Sequence, residues 1–304
     1  MAAIVDCHVH AFPVRGEKIG SLAKLRKGAR LWLRPFTASI HHAQPIIRHL
    51  PKPLRVRLDE VSALVPLPIL LVESTPNDLK EAMENADVDF ALLIAHPPFA
   101  SNEFVLKACA QDPKLIPVVN VPSGTAQPGE AFKEYVKAGA KALKIHPAAD
   151  GEGVDSPRYE MLLTAAAELR LPVILHTGCF HSHLLYKDPM QGQAQRFAPW
   201  FERFREIPFV LAHMNFHDPN IAFDLAEAHP NVYMDSSWQP AETIGEAVRR
   251  VGAERVLFGS DWPFVGNNIS IGLKRIRECV EAGTLNEKES RLILGENASK
   301  LFKL

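Results

Sequence analysis

Short apolar runs alternate with longer amphipathic stretches along most of this chain. Eight runs have the composition of buried strands: AIVDCHVH (3–10), FALLIA (90–95), LIPVVNV (115–121), KALKIH (141–146), PVILHT (172–177), PFVLAH (208–213), NVYMDS (231–236) and RVLFGS (255–260). Between the later ones lie PGEAFKEYVKAGA (128–140), SPRYEMLLTAAAELR (156–170) and AETIGEAVRRVGA (241–253), whose apolar residues fall at helical spacing. Near-continuous apolar strands alternating with amphipathic helices imply parallel strands covered on both faces. Eight such units predict a closed (β/α)8 TIM barrel of the α/β class. An open doubly wound sheet would carry a glycine-rich phosphate turn after its first strand, and none occurs here.

The predicted strand ends carry the chemistry. His8 and His10 end the first run, Lys144 and His146 the fourth, His176 the fifth, His213 the sixth and Asp235 the seventh, while Asp261 follows the eighth. Parallel barrel strands deliver all these ends to one rim, where residues far apart in sequence meet. Strict alternation puts Asp6, His8 and His10 on one face of the first strand and Cys7 and Val9 on the other. The segment 11–89 is too long for a simple βα connection and is broken by prolines at 35, 45, 51, 53, 66 and 68. Following the first strand, it is expected to lie over the rim as a lid within a single domain, 1–304. From Arg15 to Arg57 it carries eleven Lys/Arg against one acid, Glu17. That bias suits attraction of an anionic substrate, or else a solvated outer face of the lid.

Composition narrows the field. The 304 residues are 47% hydrophobic, enough for a large core, and the formal charge of −1 argues against a nucleic-acid partner. The four cysteines, Cys7, Cys109, Cys179 and Cys279, form no C-x-x-C pair, as expected of a reduced cytoplasmic protein. The N-terminus becomes polar too early for a signal peptide, and no run is long enough for a membrane span. The expected partner is a small molecule; homo-oligomerisation is open.

His8-x-His10 at a strand end can offer two imidazoles to one ion, leaving positions for ligands from other strands. Alone it is as readily a hydrogen-bonded pair. With His176, His213 and Asp261 at the same rim, the metal reading prevails. Asp6 could orient a ligating histidine or pair with Lys144. At least two of His146, His181, His183 and His217 are expected to be exposed loop histidines. Trp262 is expected in the core, and Cys179 as a buried thiol.

D-C-H-V-H (6–10), K-I-H-P (144–147), L-H-T-G (175–178), A-H-M (212–214) and G-S-D-W-P (259–263) resemble the motifs of the amidohydrolase superfamily. The likeness is greatest to the branch that includes aminocarboxymuconate-semialdehyde decarboxylase, aromatic-acid decarboxylases and several lactonases. G-E-N-A-S-K-L-F (295–302) is similar to that branch's C-terminal helix, whereas 15–80 matches nothing in it. The resemblance implies one divalent metal, commonly zinc or else manganese, held by His8, His10, His176 and Asp261. It makes His213 the acid/base residue and gives Asp261 a catalytic share. It also implies a metal-dependent hydrolase that acts on a lactone, ester or amide through activated water. Non-oxidative decarboxylation of a small carboxylic acid is the enzymatic alternative, and a metal-binding barrel without catalysis is the alternative of another class. Lys144 either anchors a substrate carboxylate or, if carboxylated, bridges two ions, with His146 nearby as a further substrate contact.

Overall fold

The computed structural model describes residues 3–13, 46–64, 73–264 and 268–304, with a few isolated positions between 25 and 43. Most of the basic stretch therefore lies outside the described residues. Eight parallel strands form one sheet in chain order: β1 (Val5–Val9), β2 (Phe90–Ile94), β3 (Leu115–Val119), β4 (Ala142–Ile145), β5 (Val173–His176), β6 (Phe209–Ala212), β7 (Val232–Asp235) and β8 (Val256–Leu257). Backbone bonds from Cys7 to Phe258, His10 to Trp262 and Asp261 to His8 join the first and last strands. The sheet thus closes into the (β/α)8 barrel that the pattern predicts. Each strand is shorter than its apolar run, because the flanking residues turn into the loops that build the rim.

Helices α1 (Lys52–Ser62) and α2 (Pro76–Asn85) precede β2; α3 (Asn102–Gln111), α4 (Pro128–Lys137) and α5 (Pro157–Leu169) follow β2, β3 and β4. After β5, β6, β7 and β8 come α6 (Ala198–Arg203), α7 (Pro219–Ala228), α8 (Ala241–Val251) and α9 (Asn268–Glu281). Helix α8 shows why they pack as they do. Ile244, Ala247, Val248 and Val251 recur at helical spacing and are buried, while Arg249 and Arg250 stay outside and pair with acids.

Alternation sorts the strand residues into two apolar clusters. Leu93, Val119, Leu143, Leu175, Leu211 and Met234 pack outward against helices. Leu92, Val118, Ala142, Ile174, Val210 and Leu257 fill the barrel interior, which Ala298 and Phe302 of the C-terminal segment join. Strand β1 breaks the rule. Val5 pairs with Phe90 and Asp6 with Ala91, but Val9 pairs with Leu93, so one extra residue is inserted before Val9. Val5 and Cys7 belong to the interior cluster and Val9 to the outer one. This bulge overturns the expected alternation: Cys7 packs inside, and the phase of the strand changes just ahead of the histidines.

Candidate metal centre at the barrel mouth

Three strand ends place the central group. His8 and His10 come from β1, and Asp261 follows β8 in the left-handed region at φ 59°, which an ordinary side chain adopts only when its surroundings enforce it. His8 Nδ1 lies 2.8 Å from Asp235 Oδ2 and His10 Nδ1 lies 3.0 Å from the Ile94 carbonyl oxygen. Both rings therefore turn Nε2 toward Asp261 Oδ1, each at 3.4 Å. His8, His10 and Asp261 offer ligand atoms within 4.8 Å of one another, and so do His8, His213 and Asp235. An imidazole whose other nitrogen is held by a carboxylate or carbonyl is in the state a metal ligand needs. The donor set fits a divalent cation.

Gly259 makes this approach of strands feasible. A Cβ there would sit 3.1 Å from His8 Cβ and 3.2 Å from Asp235 Cβ, in space the site already uses. His213 (φ 63°) and Trp238 (φ 66°) share the positive φ of Asp261, as do Met214, Asn215 and Phe216 directly after His213, so the backbone around the mouth is held in conformations unfavourable to ordinary side chains. Gln239 supports the first by donating to the His213 and Phe216 carbonyls. Trp238 Nε1 donates to Asp261 Oδ2 at 2.7 Å and so fixes the carboxylate from outside.

The remaining imidazoles complete a ring of contacts. His213 stacks on His8 at 4.9 Å and meets His176 edge-on at 5.1 Å. His176 lies flat on His146, centroids 3.8 Å apart, and Tyr186 leans on both. His176 stands outside the group formed by His8, His10 and Asp261. His146 Nδ1 accepts from the Ala149 backbone, capping the short turn Pro147–Asp150. Lys144 Nζ is buried 3.5 Å from His8 Nε2.

Burial sets the electrostatics. It drives His213 down to about 3, lowers His8, and lowers His146 and His176 well below the usual imidazole range, so these rings are neutral near pH 7. Burial would push the carboxyls of Asp235 and Asp261 up, but His8 and His213 outweigh it and hold both below the ordinary range. Burial brings Lys144 down to about 8, against the pull of Asp235 and Asp261. The site thus combines lone pairs, two carboxylates and one ammonium.

Several expectations need correction. Asp6 orients no imidazole: it accepts from the backbone of His8 and Ser260, and Asp235 has the role foreseen for it. Burial raises Asp6 to about 7. Of the four loop histidines only His183 is exposed, because Asp59 of α1 draws in His181 (3.1 Å) and His217 (3.1 Å). Cys179 is half-buried, with Sγ 3.5 Å from Met190 Sδ. Trp262 is wholly buried, as expected of a core aromatic. His96, just past β2, was not foreseen; it packs edge-on against His10 at 5.5 Å and His146 at 5.9 Å, and burial lowers it to about 3. Its signal was available, a histidine ending the second apolar run.

The Amidohydrolase family matches this chain over residues 5–304. The chain belongs to that family. No curated protein matches it. Among solved structures it resembles 5-carboxyvanillate decarboxylase from Novosphingobium aromaticivorans with bound manganese and 3-methoxy-4-hydroxy-5-nitrobenzoic acid, at 15% identity, 100% and 97% coverage and TM-score 0.65. It also resembles a zinc-bound amidohydrolase from Burkholderia multivorans, at 12% identity, 100% coverage of both chains and TM-score 0.64. A probable 2-pyrone-4,6-dicarboxylic acid hydrolase from Acinetobacter baumannii, with citric acid bound, is similar at 15% identity, 99% coverage of both and TM-score 0.61. At these identities the likeness speaks for the fold.

Proposed function

We propose that this amidohydrolase is a metal-dependent hydrolase of a small carbonyl substrate bearing a carboxylate, such as a lactone or ester acid. The observation that carries the reading is the convergence of His8 Nε2 and His10 Nε2 on Asp261 Oδ1, each ring anchored from behind. His8, His10 and Asp261 would hold one divalent cation, zinc or manganese, with His176 as the fourth ligand on reorientation of its ring. Such an ion acts as a Lewis acid toward a carbonyl oxygen and acidifies bound water. His213, neutral and facing this group, accepts the proton of the attacking water and returns it to the leaving oxygen or nitrogen as the C–O or C–N bond breaks. Lys144 supplies the buried positive charge that receives the substrate carboxylate.

A second reading, decarboxylation of an aromatic acid, is favoured by that same buried cation and by the decarboxylases among the structural relatives. Zinc- and manganese-loaded protein should be given a panel of lactones, esters and aromatic acids in ¹⁸O-labelled water. Hydrolysis places one ¹⁸O atom in the product carboxylate. Carbon dioxide release without that label would overturn hydrolysis in favour of decarboxylation. Full metal loading with no turnover of any compound would leave a binding barrel.

A further inference from the structure

Asp235, the last residue of β7, uses both carboxylate oxygens. Oδ2 faces His8 Nδ1 at 2.8 Å. Oδ1 accepts from the backbone N–H of His213 (3.0 Å) and of Ser237 (3.1 Å), and from the Ser237 hydroxyl. Ser237 Oγ in turn lies 2.7 Å from His213 Nδ1, and both residues are buried. A serine hydroxyl has one proton, and an ionised carboxylate can only accept. With that proton committed to Asp235, Ser237 Oγ can meet Nδ1 only as an acceptor, so Nδ1 carries hydrogen. The lone pair of His213 is then on Nε2.

We propose that Ser237 is a positioning residue: it locks neutral His213 in the Nδ1–H tautomer, so that His213 first meets the substrate or an ion as an acceptor through Nε2 and donates from that nitrogen only after it has taken up a proton. The same logic holds for His8, through Asp235, and for His10, through Ile94. Three imidazoles from two strands thus carry hydrogen on Nδ1 and leave the lone pair on Nε2. The catalytic consequence rests on the hydrolytic reading above; the tautomer does not. A proton acceptor suits water activation, whereas direct donation to an oxyanion would need the opposite tautomer.

The test is ¹⁵N-histidine NMR of the full chain, metal-free and then zinc-loaded, with the His213 signals assigned by their loss in His213→Gln. Wild type should show a protonated Nδ1 and an unprotonated Nε2 at neutral pH. Ser237→Ala should add a population with the proton on Nε2, and Ser237→Thr, which keeps the hydroxyl, should restore the single form. Wild-type His213 protonated at Nε2 would overturn the proposal, as would a Ser237→Ala spectrum identical to wild type. Should Ser237→Ala fail to fold, the wild-type and Ser237→Thr spectra still decide it. For a substrate found in the labelled-water panel, Ser237→Ala should lower kcat about tenfold or more with KM little changed. A normal tautomer shift without any hydrolytic substrate would sink the functional reading and leave the positioning role standing.

Discussion

The mouth of the barrel has two unlike halves. On one side His8, His10 and His213 each have Nδ1 held by a fixed partner: a carboxylate, a backbone carbonyl and a serine hydroxyl. On the other, His176 and His146 lie face to face, and among the described residues the nitrogens of His176 make no hydrogen bond. The first half is organised before any ion arrives. In the second, the Ala149 N–H fixes His146 while His176 is oriented by ring packing, and a ligand role for His176 requires the stack to open. The difference teaches which residues set affinity in advance and which adjust afterwards.

The most severe way to probe the organised half is Asp261→Ala. Removing the carboxylate on which both Nε2 atoms converge should abolish stoichiometric zinc and lower turnover roughly a thousandfold, about 4 kcal/mol. Metal analysis after dialysis reads the first effect. Near-full zinc content in this variant would place the ion elsewhere. Asp235→Asn is the sharper probe, since it leaves all the candidate ligands in place. Loss of the partner behind His8 should weaken zinc about 10- to 100-fold by competition titration, and His176→Ala should weaken it less. If His176→Ala proves the more damaging of the two, the ranking of the halves is reversed.

Two smaller effects test the setting. Gly259→Ala forces a methyl group against His8 and Asp235 and should cost about 1–3 kcal/mol, read as a lower unfolding midpoint in urea. A midpoint equal to wild type would mean that the two strands can part without loss. Acid should also destabilise the metal-free protein. His96 and His213, held near 3 when folded, bind protons more readily once unfolded, so stability is present above about 6.5 and is lost as pH falls from there toward 3. Asp6, raised to about 7, acts oppositely: its folded form holds a proton that the unfolded chain releases between about 4 and 7. Two lowered histidines outweigh one raised acid, and His8, His146 and His176 add to their side. Melting scans should show a lower Tm at pH 5 than at pH 7. A higher one would show that Asp6 dominates.

Much of this was legible in the chain because a parallel barrel converts sequence position into spatial position. His8, His10, His176, His213 and Asp261 could be gathered from strand ends alone. Asp235 could be placed at the same rim, but its pairing with His8 could not, nor could the other partners. The contacts of Ser237 and Trp238 depend on loop backbones, the latter in a conformation that no pattern of apolar residues announces. Asp59 was hidden for another reason: it lies in the long segment after β1, where the sequence shows no recognisable motif, and its reach to His181 and His217 is a tertiary event. The phase of β1 is hidden for a third reason: Asp6, His8 and His10 alternate regularly with apolar neighbours in the sequence, and a bulge leaves no mark on that pattern.

That bulge gives a five-residue strand two allegiances. Its lower part serves the oily filling of the barrel through Val5, and its upper part delivers imidazoles to the opening, tasks that a uniform zigzag would set on opposite sides of the wall. Had the strand kept step from Val5 onward, the same barrel would close with both histidines facing the surrounding helices.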